Sequence, residues 1–106
     1  MPKKISFFRD DNDMACARGP VDEQLLTVFL ETDIQEDTLI LQRLLDDIWA
    51  VQNGHDDARE FTGNAHTVLM NGEQITIQSE ADADTPPYNT SLNHFYEVLL
   101  NWEAFI

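Results

Sequence analysis

The chain has 106 residues, with 20 aspartates and glutamates against 6 lysines and arginines, and a formal net charge of −14. That length supports one domain with a core of its own and leaves no room for two, so residues 1–106 are read as a single acidic α+β domain. A field of this sign repels nucleic-acid phosphates and anionic lipid, which argues against direct nucleic-acid or membrane binding and suits a basic protein partner; the alternative is that the charge serves solubility alone.

Cys16 is the single cysteine, so no intrachain disulfide forms, and a reducing, cytoplasmic setting fits. The opening MPKKISFFRD has too short an apolar run for a signal-peptide core. No stretch approaches the ~20 apolar residues of a membrane span.

Lys4–Arg9 reads as a strand, since Ile5, Phe7 and Phe8 are β-formers. Asp10-Asp11-Asn12-Asp13 is a polar turn, and Met14–Arg18 returns as a second short strand. The acidic turn resembles half of a calcium loop, but no glycine or closing glutamate follows at the spacing that loop needs. Gly19-Pro20 breaks the chain. The apolar run Gln24–Leu30 then reads as a third strand.

A helix is expected from about Ile34 to Gln52, capped through Thr32 with Gln35 or Asp33 with Glu36. Leu41, Leu44, Leu45, Ile48 and Gln52 recur at three- and four-residue steps, and Ile40 and Val51 widen that stripe. Asp46 and Asp47 fall on its polar side. Trp49 is placed in the core in preference to an interface. Asn53-Gly54 ends the helix, with Gly54 suited to the left-handed cap. His55–Gly63 reads as a polar loop; His55, Asp56 and Asp57 are adjacent in sequence and match no metal spacing.

The strongest local signal is Asn71-Gly72 between two alternating apolar and polar runs, which marks a type I′ hairpin. That turn places Met70 opposite Glu73, Val68 opposite Ile75 and His66 opposite Ile77. One face then carries Val68, Met70, Ile75 and Ile77; the other carries Thr67, Leu69, Gln74, Thr76 and Gln78. In the Glu80–Pro87 connection, the acids at 80, 82 and 84 project to one side if the segment is extended, as an acidic strip; otherwise it is a charged loop. A final helix runs from about Ser91 to Phe105, capped by Asn89, Thr90 or Ser91. Its apolar stripe is Leu92, Phe95, Tyr96, Leu99, Trp102 and Ile106, aimed at the hairpin.

No nucleophile elbow, phosphate loop, dinucleotide fingerprint or zinc-protease motif occurs, so no enzyme and no cofactor is expected. His66 on the apolar face reads as a hydrogen-bonded structural histidine. A site combining His66, His94 and Cys16 rests on no motif.

The order of these elements resembles the YacL-like family of small bacterial proteins, and looks like immunity proteins of contact-dependent growth inhibition systems, some of which share that fold. Phe7-Phe8-Arg9-Asp10 is similar to the family's first strand. Leu39 to Gly54 sits where it has a long amphipathic helix ending in glycine. Gly63 to Ile77 is similar to its Gly-led hairpin, and His94 to Phe105 to its final helix. The short N-terminal hairpin and the EADADTPPY connection depart from the pattern. No catalytic residues come with the family. The resemblance implies a cytosolic protein that neutralises a cognate toxin domain.

The expected fold is an antiparallel sheet of about five strands including the type I′ hairpin, one long central helix and a C-terminal helix. The expected function is immunity: a monomer that blocks the active-site cleft of a basic toxin domain, a nuclease by the charge argument. Asp11, Asp13, Asp56, Asp57, Glu80, Asp82 and Asp84 are the charged contact candidates, and Leu69 and Tyr88 the exposed anchors. The alternatives are a YacL-like cytosolic protein with a housekeeping role and an acidic DNA mimic.

Overall fold

The structure, a computed structural model, describes residues 4–106. The signal-peptide reading of the first ten residues rests in part on Met1–Lys3, which lie outside the described residues. Among those described, six strands and three helices form: β1 (Ser6–Arg9), β2 (Ala15–Arg18), α1 (Gln24–Phe29), α2 (Thr38–Gln52), β3 (Ala58–Thr62), β4 (His66–Asn71), β5 (Gln74–Ser79), β6 (Tyr88–Ser91) and α3 (Leu92–Phe105). They make a mixed α+β fold with two antiparallel sheets, a β1–β2 ribbon and a sheet ordered β3-β4-β5-β6. The expected single sheet of about five strands is therefore corrected to two sheets of two and four strands.

The difference arises at two places. Gln24–Leu30, expected as a strand, is helical through α1 and into a π turn over Leu30–Ile34. An uninterrupted apolar run does not distinguish a buried strand from a buried helix; here Leu26, Phe29 and Leu30 are all fully buried. Conversely, the loop expected over His55–Gly63 contains β3, in which Phe61 turns inward opposite Val68 while its neighbours stay exposed or half-exposed.

The central hairpin forms, with a different turn. Asn71 pairs with Gln74, Met70 with Ile75 and Val68 with Ile77, so the two turn residues are Gly72 and Glu73. Only Gly72 has positive φ (62°), as in a type II′ turn rather than the expected type I′. The pairing moves by two residues, and a shift of two preserves the face. Val68, Met70, Ile75 and Ile77 accordingly remain together and are all fully buried.

The three helices cover that face. Leu26 and Phe29 from α1, Leu41, Leu44 and Ile48 from α2, and Phe95, Leu99 and Trp102 from α3 join the hairpin residues and Phe61 in one core. The opposite face carries Thr62, Thr67, Leu69, Thr76, Gln78 and Asn89 in register across the four strands. The β1–β2 ribbon docks through Phe7, whose ring meets Trp102 edge-on at 5.2 Å. Glu31 helps to hold it by accepting the Ala17 N–H at 2.7 Å.

Two helix boundaries follow from capping chemistry. α2 begins at Thr38, four residues later than expected, because Asp37 accepts from the N–H groups of Leu39 and Ile40 at 3.0 and 3.2 Å. The segment before it closes as a π turn, with the Gln35 N–H donating to the Leu30 carbonyl at 2.7 Å. α3 begins where Ser91 accepts from the His94 N–H at 3.0 Å, as expected of a cap. Gly54 ends α2 with φ +73°, also as expected. On α2, Asp47 and Gln52 exchange their expected roles: Asp47 is buried and Gln52 is exposed.

Trp102 is fully buried and its indole N–H donates to the Gln35 carbonyl at 2.8 Å. Trp102→Ala should cost ~3–5 kcal/mol, read as the loss in unfolding free energy in a urea titration. Gln35 itself has φ 55° and ψ −128°, a conformation that strains any residue with a Cβ. Because Trp102 binds the backbone there, Gln35→Gly should keep that bond and stabilise the chain by about 1 kcal/mol, checked by the same titration.

Candidate protein-interaction surface

The expected contact residues do not form one patch. Asp56 and Asp57 precede β3, beside the hairpin tip, where the Gly72 N–H reaches the Asp57 carbonyl. Glu80, Asp82 and Asp84 follow β5 at the other end, where the Glu80 N–H donates to the Ala65 carbonyl at 2.8 Å. At ~3.4 Å per residue the two ends lie about 17 Å apart along β4. Asp11 and Asp13 stand on the separate β1–β2 turn, exposed.

Local chemistry sorts these carboxylates further. Asp13 lies 4.0 Å from Arg9, and Asp56 is half-buried in an ion pair with Arg59. Among the described residues no lysine, arginine or histidine forms an ion pair with Asp11, Asp57, Glu80, Asp82 or Asp84. The Glu80–Pro87 segment is not extended. Asp82 accepts from the Asp84 N–H at 3.0 Å and the Thr85 hydroxyl at 2.9 Å, which folds it into a turn. Glu80 accepts from the Thr67 hydroxyl. The alternate spacing therefore makes no straight acidic strip.

Both expected anchors change character. Tyr88 is buried, and its hydroxyl donates to Glu23, which is itself fully buried. Burial, then the neighbouring Glu23, push the Tyr88 hydroxyl far above the ordinary tyrosine range. Leu69 is half-buried in the middle of the polar sheet face, between Glu60 and Thr76.

Trp49, expected in the core, is 56% exposed. The helical period had the signal: at about 100° per residue, Trp49 falls some 80–140° away from Leu41, Leu44 and Ile48, on the side of Gln42 and Asp46. Its ring stacks on His55, with centroids 4.8 Å apart and planes 29° apart. Arg59 ties this corner together, its Nη1–H donating to buried Asp47 at 2.8 Å and its Nε–H to Asp56.

The histidines and the cysteine are not convergent. His66 is buried, as expected, and its Nδ1–H donates to Asp33 at 2.8 Å. His94 Nε2 bonds to Glu23, the carboxylate that also holds Tyr88. Cys16 Sγ contacts the Met14 carbonyl instead. Burial pushes the Cys16 thiol up, and Asp10 and Glu31 add to the effect, so the thiolate is disfavoured. Among the described residues no group of three or more His, Cys, Asp or Glu side chains is placed to hold a metal ion. No helix among them is long and apolar enough to cross a membrane. The chain matches no protein-family model, no curated protein and no solved structure.

The buried carboxylates Glu23, Asp33 and Asp47 carry structure, and Asp33 has a readable pH signature. Burial alone would raise its pKa. Hydrogen bonds from the Thr32 hydroxyl, the His66 ring and the N–H groups of Ala65 and His66 outweigh burial and hold it below the ordinary 3.8. A lowered carboxylate stabilises the fold above its unfolded pKa and loses that contribution as pH falls through the folded value. Asp33→Asn should therefore cost about 1–3 kcal/mol near pH 7, with the deficit shrinking below about pH 4. Parallel melts of the two proteins from pH 7 to pH 2.5 check this.

Proposed function

We propose that this chain is an immunity-type inhibitor, a cytoplasmic protein that binds a basic toxin domain, of nuclease type, and blocks its substrate cleft. The observation that carries the reading is the charge. Acids outnumber bases by 14, and five carboxylates on exposed loops have no cation within ion-pair distance among the described residues. A nuclease cleft must attract phosphate, so an acidic protein can occupy it and be drawn to it at rates on the order of 10⁸ M⁻¹s⁻¹ in low salt.

Further support is chemical. The buried titratable groups are engaged in hydrogen bonds that hold the fold, and the one thiol is disfavoured as a nucleophile. The resemblance to YacL-like and growth-inhibition immunity proteins points the same way. A DNA mimic is the weaker alternative. Duplex DNA carries a charge every ~1.7 Å, whereas the acidic ends of this sheet are separated by a mostly neutral face of Thr, Gln and Asn. A housekeeping YacL-like role would leave the unpaired acids without a basic partner to meet.

The test is to express the toxin domain encoded beside this gene, with and without this chain. Growth arrest relieved by the chain, together with a one-to-one complex on gel filtration, is the expected result; absence of a toxic neighbour, or arrest that persists, would overturn the reading. In that complex, reversing Asp11, Asp57 and Asp84 to lysine should slow association about tenfold or more and flatten its salt dependence. These three side chains carry no internal ion pair among the described residues, so melting should change little.

A further inference from the structure

Four residues of α2 and its C-cap turn away from the core: Leu39, Gln42, Asp46 and Trp49, then Asn53, all exposed. At about 100° and 1.5 Å per residue they fall within an arc of about 80° and span about 21 Å. Leu39 and Trp49 are the large apolar side chains of this face, 82% and 56% exposed. A single exposed leucine calls for no explanation. Trp49 does, because its ring is held in place while remaining open.

The imidazole of His55 lies against the indole, and the backbone that carries His55 is fixed in turn. Its N–H donates to the Ala50 carbonyl at 2.9 Å. The Asn53 amide donates to the Trp49 carbonyl at 2.8 Å. Arg59 bridges Asp56, next to His55, to buried Asp47. The stacked ring has less freedom to lose on binding than an isolated one, and an exposed aromatic that is already partly ordered anchors an interface at lower entropic cost.

Charge identifies what it can anchor. Asp46 lies one turn before Trp49 on the same face and is oriented by the Gln42 amide at 3.0 Å. Asp57 follows two residues after His55. Neither is in an ion pair among the described residues. Arg43, on the same helix, is turned to the Phe61 ring at 5.7 Å. A second copy of this chain would bring −14 against −14, so self-association through this face is opposed by like charge.

We propose that this face docks an arginine-bearing segment of a basic protein, with a guanidinium laid on the open part of the Trp49 indole and Asp46 and Asp57 supplying the opposing carboxylates. Arginine fits better than lysine because its planar, weakly hydrated head stacks on an aromatic ring while still bonding to carboxylates. The inference rests on the inhibitor reading for the identity of the partner, not for the chemistry of the contact.

The test uses the full chain and a short Gly/Ser peptide carrying three arginines, with its three-lysine counterpart for comparison. The readout is the indole N–H resonance of Trp49, assigned against that of buried Trp102. The expected result is a saturable shift of the Trp49 resonance, weaker binding of the lysine peptide, and an affinity loss of about tenfold in Trp49→Ala with an unchanged melt. Asp46→Asn with Asp57→Asn should reduce the salt dependence of binding. Equal binding by Trp49→Ala would overturn the proposal, as would shifts confined to the Asp11–Asp13 and Glu80–Asp84 loops. A Trp49 shift that grows with protein concentration alone would assign the face to a second copy and overturn it equally. Arginine-peptide binding at Trp49 without rescue of growth would sink the inhibitor reading and leave this docking face standing; rescue unaffected by Trp49→Ala, with no peptide shift, would do the reverse.

Discussion

One buried carboxylate joins the two layers of this fold. Asp33 sits at the end of the π turn, almost fully buried. It accepts from the N–H groups of Ala65 and His66, each at 3.0 Å, from the His66 ring at 2.8 Å and from the Thr32 hydroxyl at 2.6 Å. A charge removed from water is tolerable only when its lone pairs are filled in this way. The satisfied carboxylate locks the helical segment before α2 to the start of β4. It also dictates Gly63, where an added Cβ would collide with the Asp33 carboxylate. Phe29, edge-on to the His66 ring at 6.1 Å, carries the same junction into the apolar core.

Glu23 does the same at the start of α1, binding Tyr88 from β6 and His94 from α3. Two acids from the helical side thus reach elements remote in sequence, each through a histidine. The chain has six lysines and arginines, and among the described residues the donors to Asp33 and Glu23 include histidine, tyrosine, threonine and backbone N–H groups. Buried Asp47 instead accepts from Arg59, which joins β3 to α2.

What could be read from sequence was what depends on local period and turn chemistry. The hairpin, its apolar face, Gly54 as a helix end, Ser91 as a cap and the buried stripe of α3 are all set by neighbours a few residues away. His66 as a hydrogen-bonded structural histidine was legible because a polar ring on an apolar face demands a partner. The partner, Asp33, was not, being 33 residues distant and placed by a π turn that no local pattern announces. The apolar run at Gln24–Leu30 carries no period that separates helix from strand. Tyr88 was misplaced for a related reason: an aromatic after two prolines looks exposed until Glu23 supplies the acceptor that lets it be buried. Trp49 was the one readable miss, since its angle on the α2 wheel opposes the core.

These placements alter how an acidic protein of this kind could recognise anything. Charge spread over three separate loops sets a long-range field and hence an encounter rate, but exposed ion pairs contribute little to holding a complex together. Persistence requires desolvated contact with a side chain that is already ordered. In this fold an open aromatic already stacked on a neighbour is on α2, where Arg59 joins Asp47 of the helix to Asp56 beside His55. The buried polar ties therefore do more than hold the layers together. Arg59, bonded to both Asp47 and Asp56, ties α2 to the segment that carries His55, while five loop carboxylates are left with no ion pair among the described residues. On the proposed docking mode the carboxylates of the three loops set the encounter while Trp49 with Asp46 and Asp57 makes the contact, so salt weakens both, the first through the long-range field and the second through its carboxylates.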